Sequence, residues 1–148
     1  MADDTHRSVT LERLDEGVYL ARNPRGGELR FGSMAGEAFT PVELLLAAIG
    51  GCSAVDVDVV TGRRSPAETF TARVDAEKVR DEGGNILQDI RLTFDVTFPE
   101  GEAGDAARAI LPRALATSHD RTCTVSRTME RGTPVTVRLE DRPRSSTG

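Results

Sequence analysis

Apolar and polar positions change their spacing several times along this chain, and each change marks an element. Val9, Leu11 and Leu14 stand among polar residues from Ser8 to Leu14. Asp15-Glu16-Gly17 is a turn signal, Val18 to Arg22 resumes an extended pattern, and Arg25-Gly26-Gly27 makes a second turn before Glu28 to Phe31. These runs predict a meander of three short strands, and Gly32 to Phe39 a glycine-containing loop. Alternation then stops. From Leu44 to Val55 almost every residue is apolar or small. Alternation returns at Thr69 to Val79, with Phe70, Val74 and Ala76 on one side. It is clearest at Ile90 to Phe98, with Ile90, Leu92, Phe94, Val96 and Phe98 on one face. A turn at Gly83-Gly84-Asn85 would join the two as a long hairpin. Ala106, Ala107, Ile110, Leu111, Ala114 and Leu115 recur at helical spacing, with Asp105 as a cap and Pro112 on the polar side. Thr117 to Thr122 reads as a polar loop, Thr124 to Arg131 as a short helix, and Thr133 to Glu140 as a last strand with Val135, Val137 and Leu139 inward.

The stretch from Thr40 to Val60, TPVELLLAAIGGCSAVDVDVV, dominates this pattern. Thr40 suits an N-cap, Pro41 the first helical position, and Glu43 completes a capping box. Gly62 and Pro66 end the helix. Asp56 and Asp58 interrupt the run well before the 18 apolar residues of a membrane span. A helix apolar all round is then a core helix, about 30 Å long. Gly50 and Gly51 each cost a helix about 1 kcal/mol relative to alanine, which close approach of another segment would offset.

Strands, helix, hairpin, helix, strand is an α+β order without regular β-α-β alternation. We expect one domain over residues 1–148, with a polar tail from about residue 141. One small sheet cannot cover a helix that is apolar on every side, so a second subunit is expected against it.

Composition narrows the function. Hydrophobic residues make up 38%, with one Tyr, five Phe and no Trp, so the core is mainly aliphatic. A net charge of −5 argues against an electrostatic nucleic-acid binder. No apolar signal core follows Met1, and the expected location is the cytoplasm, without membrane attachment. Structural disulfides are uncommon there, so the two cysteines, Cys52 and Cys123, are either inert or cycle between redox states.

Cys52 lies about three turns into the helix, too far for the dipole to activate it. Asp56, one turn later, is its expected acidic neighbour, and an acid there raises a thiol pKa. A thiolate at Cys52 would need a cation from another segment. Arg22, Arg25, Arg30 and Arg121 are the candidates, and Asp56 could hold such an arginine.

The helix T-P-V-E-L-L-L-A-A-I-G-G-C-S-A-V-D-V, with C-T-V-S at Cys123 and a valine-rich end, resembles the OsmC/Ohr family of thiol peroxidases. The likeness runs from about Tyr19 to Glu140. It implies an OsmC-like fold, with antiparallel sheets wrapped around long central helices in an intertwined homodimer and active sites at the subunit junction. By this resemblance Cys52 matches the peroxidatic cysteine and Cys123 the resolving one. The segment L-R-F-G makes Arg30 the match for the arginine that lowers the thiolate pKa and orients the peroxide, with Arg22 second. The implied partners are a peroxide substrate and an external dithiol reductant, a lipoyl protein or a thioredoxin-like one. The family's glutamate directly after the proline is Val42 here, which places the chain in a divergent Gly-Gly-Cys subgroup.

Other readings use the same residues. A non-catalytic OsmC-like protein would bind an apolar ligand at the dimer interface. A zinc site from Cys52, Cys123 and His119 lacks paired ligand spacing, so no metal or cofactor is expected. A cysteine–histidine hydrolase would rest on His119, more simply a solvated loop residue.

Overall fold

A computed structural model describes residues 4–140 of the chain; the tail expected from residue 141 lies outside them. Strands β1 (Thr10–Asp15), β2 (Val18–Arg22) and β3 (Glu28–Phe31) form an antiparallel sheet in that order. Helix α1 (Pro41–Gly62) follows, then a long antiparallel hairpin of β4 (Thr69–Asp81) and β5 (Gly84–Thr97). Helix α2 (Glu102–Thr117) runs into a five-residue π-helical turn (Ser118–Thr122) and then helix α3 (Thr124–Glu130). The α+β order read from the sequence is the observed one up to α3.

Helix α1 starts as its sequence dictates. The Glu43 amide donates to Thr40 Oγ1 at 3.2 Å, and the Thr40 amide donates to Glu43 Oε1 at 3.0 Å. Its principal partners are α2, β4 and the π-turn with α3. The two glycines face different surroundings. A Cβ on Gly50 would lie 2.7 Å from Val74 Cγ2 and 3.7 Å from Leu92 Cδ1, so this glycine lets α1 settle onto the hairpin. A Cβ on Gly51 would meet nothing within 4 Å. Inward residues Val57, Ala107 and Cys123 are fully buried, with Ile49, Phe98 and Ala114 beside them in the core.

Much of the apolar surface is left uncovered. Gly51, Val55 and Val59 lie on an exposed stripe of α1, Val55 at 64% and Val59 at 53% exposure. Leu11, Ala21 and Leu29 align across β1, β2 and β3 as one cross-strand row, of which Leu11 and Leu29 are exposed. This sheet makes no substantial contact with the other elements among the described residues.

Three details differ from the sequence expectation. The hairpin turn is Glu82-Gly83, one residue earlier than expected, because Asp81 pairs with Gly84. Strand β5 therefore begins at Gly84 rather than Ile90, and a bulge opposite Ala76 puts Asp89 at φ 53°. Helix α2 begins at Glu102 with Gly101 at the N-cap position. Asp105, expected as the cap, accepts from Arg108 instead at 2.7 Å. The expected last strand does not form. Residues 133–140 carry no ladder, and Val135, Val137 and Leu139 are 87%, 88% and 93% exposed rather than inward. A strand needs an edge to pair with, and among the described residues none is engaged.

Candidate thiol site

Cys52 and Cys123 are separated by 71 positions in sequence and meet where α1 packs on α3. Both are free thiols, Cys52 half-buried and Cys123 fully buried. The two side chains are neighbours, close enough for each to shift the acidity of the other. Cys123 occupies the N-cap position of α3, its sulfur accepting from the Ser126 amide at 3.5 Å and donating to the Ser126 hydroxyl at 3.3 Å. The backbone amides of Val125 and Thr124, at the start of α3, face Cys52 and favour its charged form.

These contacts set two acidities. Burial pushes the Cys52 thiol up and the neighbouring Cys123 pushes it further, against the lowering effect of the Val125 and Thr124 amides. Burial also works against a charge on Cys123. The Ser126 hydroxyl and amide, with the Cys52 S–H, outweigh it, and Cys123 lies below the ordinary thiol value. The two thiols therefore differ in acidity, and the buried sulfur is the more acidic one. The resemblance names Cys52 as the attacking thiolate, and Cys52 is the sulfur with access to the surface.

Asp56 stands one turn after Cys52, as expected, but among the described residues it holds no arginine. Its Oδ2 accepts from the Ser118 hydroxyl at 2.9 Å and from the Thr122 hydroxyl at 2.8 Å. Ser118 Oγ lies 3.1 Å from Ser53 Oγ in a buried contact. The negative charge of Asp56 is felt at Cys123, whose thiol it raises. Ser53, Ser118, Thr122 and Ser126 were not legible as site residues. The only available hint was the hydroxyl three positions after Cys123, the spacing of an N-capping contact.

Arg30 is exposed, and its guanidinium donates to the Ala35 carbonyl at 3.2 Å in the loop before α1. Arg22 pairs with Glu12 and Glu28 within the N-terminal sheet. Among the described residues no arginine is hydrogen-bonded to either thiol, and the partner of Cys123 is Ser126. His119 sits in the π-turn rather than a loop, with Nδ1 2.9 Å from Asp120 Oδ1 and Nε2 2.8 Å from Glu130 Oε1. The two carboxylates, Asp120 first, raise its pKa. His119 and Glu130 border a cavity of about 270 Å³, whose walls are Ile49, Ile90, Leu92 and Met129 and whose lining includes Ser126, the partner of Cys123.

With the thiols, their helices and the hairpin in place, the fold can be compared with known proteins. The family model described as "OsmC-like protein" matches residues 34–138, more than two thirds of the chain. The chain belongs to the OsmC-like family. Protein YhfA of Escherichia coli is 28% identical over 128 residues, covering 84% of this chain and 91% of the relative. A hypothetical protein from Aquifex aeolicus superposes with a TM-score of 0.69 at 23% identity, over 86% of this chain and 89% of that one. An OsmC-like protein of unknown function from Vibrio cholerae gives 0.67 at 11% identity, over 84% and 93%. These two likenesses carry the fold, and the OsmC-like architecture expected from the α1 motif is the one observed.

Proposed function

We propose that this OsmC-like protein is a thiol-dependent peroxidase that reduces hydrogen peroxide or organic hydroperoxides. The observation that carries the reading is the juxtaposition of two free thiols, Cys52, half-exposed, and Cys123, fully buried. Loss of the Cys52 proton to solvent gives thiolate at the accessible sulfur, where the nearby Val125 and Thr124 amides favour the charge. The Cys52 thiolate attacks the peroxide, the O–O bond breaks, and the leaving oxygen takes a proton, giving an alcohol or water and a Cys52 sulfenic acid. Cys123 attacks that sulfur, expelling the hydroxyl as water and closing a Cys52–Cys123 disulfide. An external dithiol, lipoyl or thioredoxin-like, then returns two electrons and two protons by exchange. We assign the orienting cation to Arg30, acting at a subunit junction in the reducing cytoplasm. Its replacement by Ala should move Cys52 alkylation to higher pH.

The working form is a homodimer. The uncovered stripe on α1, the Leu11–Ala21–Leu29 row and the unpaired segment at residues 133–140 support this. A second reading, a non-catalytic binder of an apolar ligand, draws on the cavity between Ile49, Ile90, Leu92 and Met129. One experiment separates the two. Wild-type protein treated with hydroperoxide should lose both free thiols, and Cys123→Ser should accumulate a sulfenic acid that a dimedone-type reagent traps at Cys52. Unchanged peroxide consumption by Cys52→Ser would leave the binding reading.

A further inference from the structure

The thiol reading uses two sulfurs and does not explain the carboxylate one turn after Cys52. Asp56 stands at i+4 from Cys52 on α1, so both project towards the same neighbours. Cys52 meets Cys123. Asp56 receives two hydroxyls on one oxygen, Ser118 at 2.9 Å and Thr122 at 2.8 Å. Those hydroxyls come from the first and last residues of the π-turn, and Cys123 is the next residue in the chain. The Cys123 amide in turn donates to the Ser118 carbonyl at 2.8 Å. Ser53, beside Cys52, reaches the same Ser118 hydroxyl from the buried side. Helix α1 thus holds both ends of the turn that presents Cys123, through side chains flanking its own cysteine.

We propose that Asp56 is a positioning residue for the thiol pair: its two hydroxyl contacts fix the π-turn so that Cys123 is held against Cys52. This rests on the redox reading of the pair but does not depend on peroxide being the oxidant. A π-turn is a wide, less regular turn that occurs mostly in single-turn pieces, so its shape needs side-chain support of this kind. A charge-assisted pair of O–H···O contacts is a strong one, and Ser118 is buried where an unmet hydroxyl would be costly. Loss of the anchor should lower the effective concentration of one thiol at the other, without touching either sulfur.

That quantity can be read directly. At equilibrium with glutathione, the two protein thiols give two electrons and two protons to oxidised glutathione. A Cys52–Cys123 bond forms, and the glutathione S–S bond breaks into two glutathione thiols. The full chain should form this intramolecular disulfide. Asp56→Ala should weaken it at least tenfold, a shift of about 30 mV for a two-electron couple. Asp56→Asn keeps a carbonyl acceptor and should recover most of the loss. Thr122→Val removes one exposed hydroxyl contact, decides the matter if Asp56→Ala does not fold, and should give a smaller weakening. Equal disulfide constants for wild type, Asp56→Ala and Thr122→Val would overturn the proposal while leaving the peroxidase reading intact. So would an equal loss in Asp56→Asn and Asp56→Ala, because hydrogen-bond acceptance would then not be the cause. A wild-type chain that forms the disulfide, shows the variant order and consumes no peroxide would sustain the positioning role and remove the peroxidase. A wild-type chain that forms no intramolecular disulfide would remove both.

Discussion

Gly50 and Val74 approach so closely that a single added methyl has no room: a Cβ on Gly50 would stand 2.7 Å from Val74 Cγ2. This contact seats the cysteine-bearing helix on the hairpin, two residues before Cys52. In Gly50→Ala, the helix gains about 1 kcal/mol of intrinsic propensity. Overpacking opposes it by about 1–3 kcal/mol. Because Val74 is a stiff β-branched side chain on a strand, overpacking should win, for a net loss of up to about 2 kcal/mol in urea unfolding at fixed protein concentration. A more stable Gly50→Ala protein would show that the hairpin yields.

The thiol pair makes a prediction with a definite sign. Cys123 raises the Cys52 pKa, and Ser126 lowers that of Cys123. Cys123→Ala should therefore move the Cys52 titration to lower pH, read by thiolate ultraviolet absorbance or by alkylation rate. Ser126→Ala should move the Cys123 titration to higher pH. For stability, a lowered thiol pKa contributes above the unfolded value and the contribution is lost as pH falls through the folded one. The stability difference between wild type and Ser126→Ala should accordingly widen towards alkaline pH. A Cys52 titration unmoved by Cys123→Ala would show that the sulfurs do not interact.

How far this site could be read in advance depended on the range of the interactions involved. The α1 cap and its apolar run are local, set by Thr40, Pro41 and Glu43, and they were legible. The β5 boundary was not: the bulge at Asp89 shifts the side-chain phase by one, so Leu87 falls out of step with Leu92, Phe94 and Val96. The role of Asp56 was hidden because its partners lie 62 and 66 positions away. Helix periodicity could say which face it occupied, not what would be folded against it. The segment at residues 133–140 has a strand's alternation yet pairs with nothing among the described residues. Its period reports a pleated surface, and the surface can belong to another molecule.

His119 supplies a second pH test, on the element that Asp56 anchors. Asp120 and Glu130 raise its pKa above the ordinary value of about 6.5. A raised histidine contributes stability that is fully present below the unfolded pKa and is lost as pH rises through the folded one. The side chain is largely solvated, so the effect should be small and screened by salt. Glu130→Gln should lower the His119 pKa in an NMR titration and remove that part of the stability between about pH 5 and 7. The Asp120 contact within the turn should keep the imidazole from returning fully to its free value. An unmoved titration would mean that the link from the π-turn to the end of α3 is not formed in solution.

The exposed stripe of α1 makes the last prediction. Gly51, Val55 and Val59 recur at i, i+4 and i+8, one face of a helix. A glycine with open space around it, flanked by β-branched residues, lets a second helix approach closely. Were this face solvated in the working protein, Val55→Asp would be close to neutral, as most surface substitutions are. If it packs against the same face of a second copy, the substitution buries a carboxylate opposite its own symmetry mate. Two like charges then meet where water is excluded, at a cost of about 3 kcal/mol or more, at least a hundredfold in dimer Kd. Sedimentation should find wild type dimeric and Val55→Asp mostly monomeric at micromolar concentration. Removal of the segment from residue 133 onward should weaken the same equilibrium, since its strand-like residues 133–140 have no partner among the described residues. A Val55→Asp protein as dimeric as wild type would place the subunit junction elsewhere and take the α1 stripe out of it.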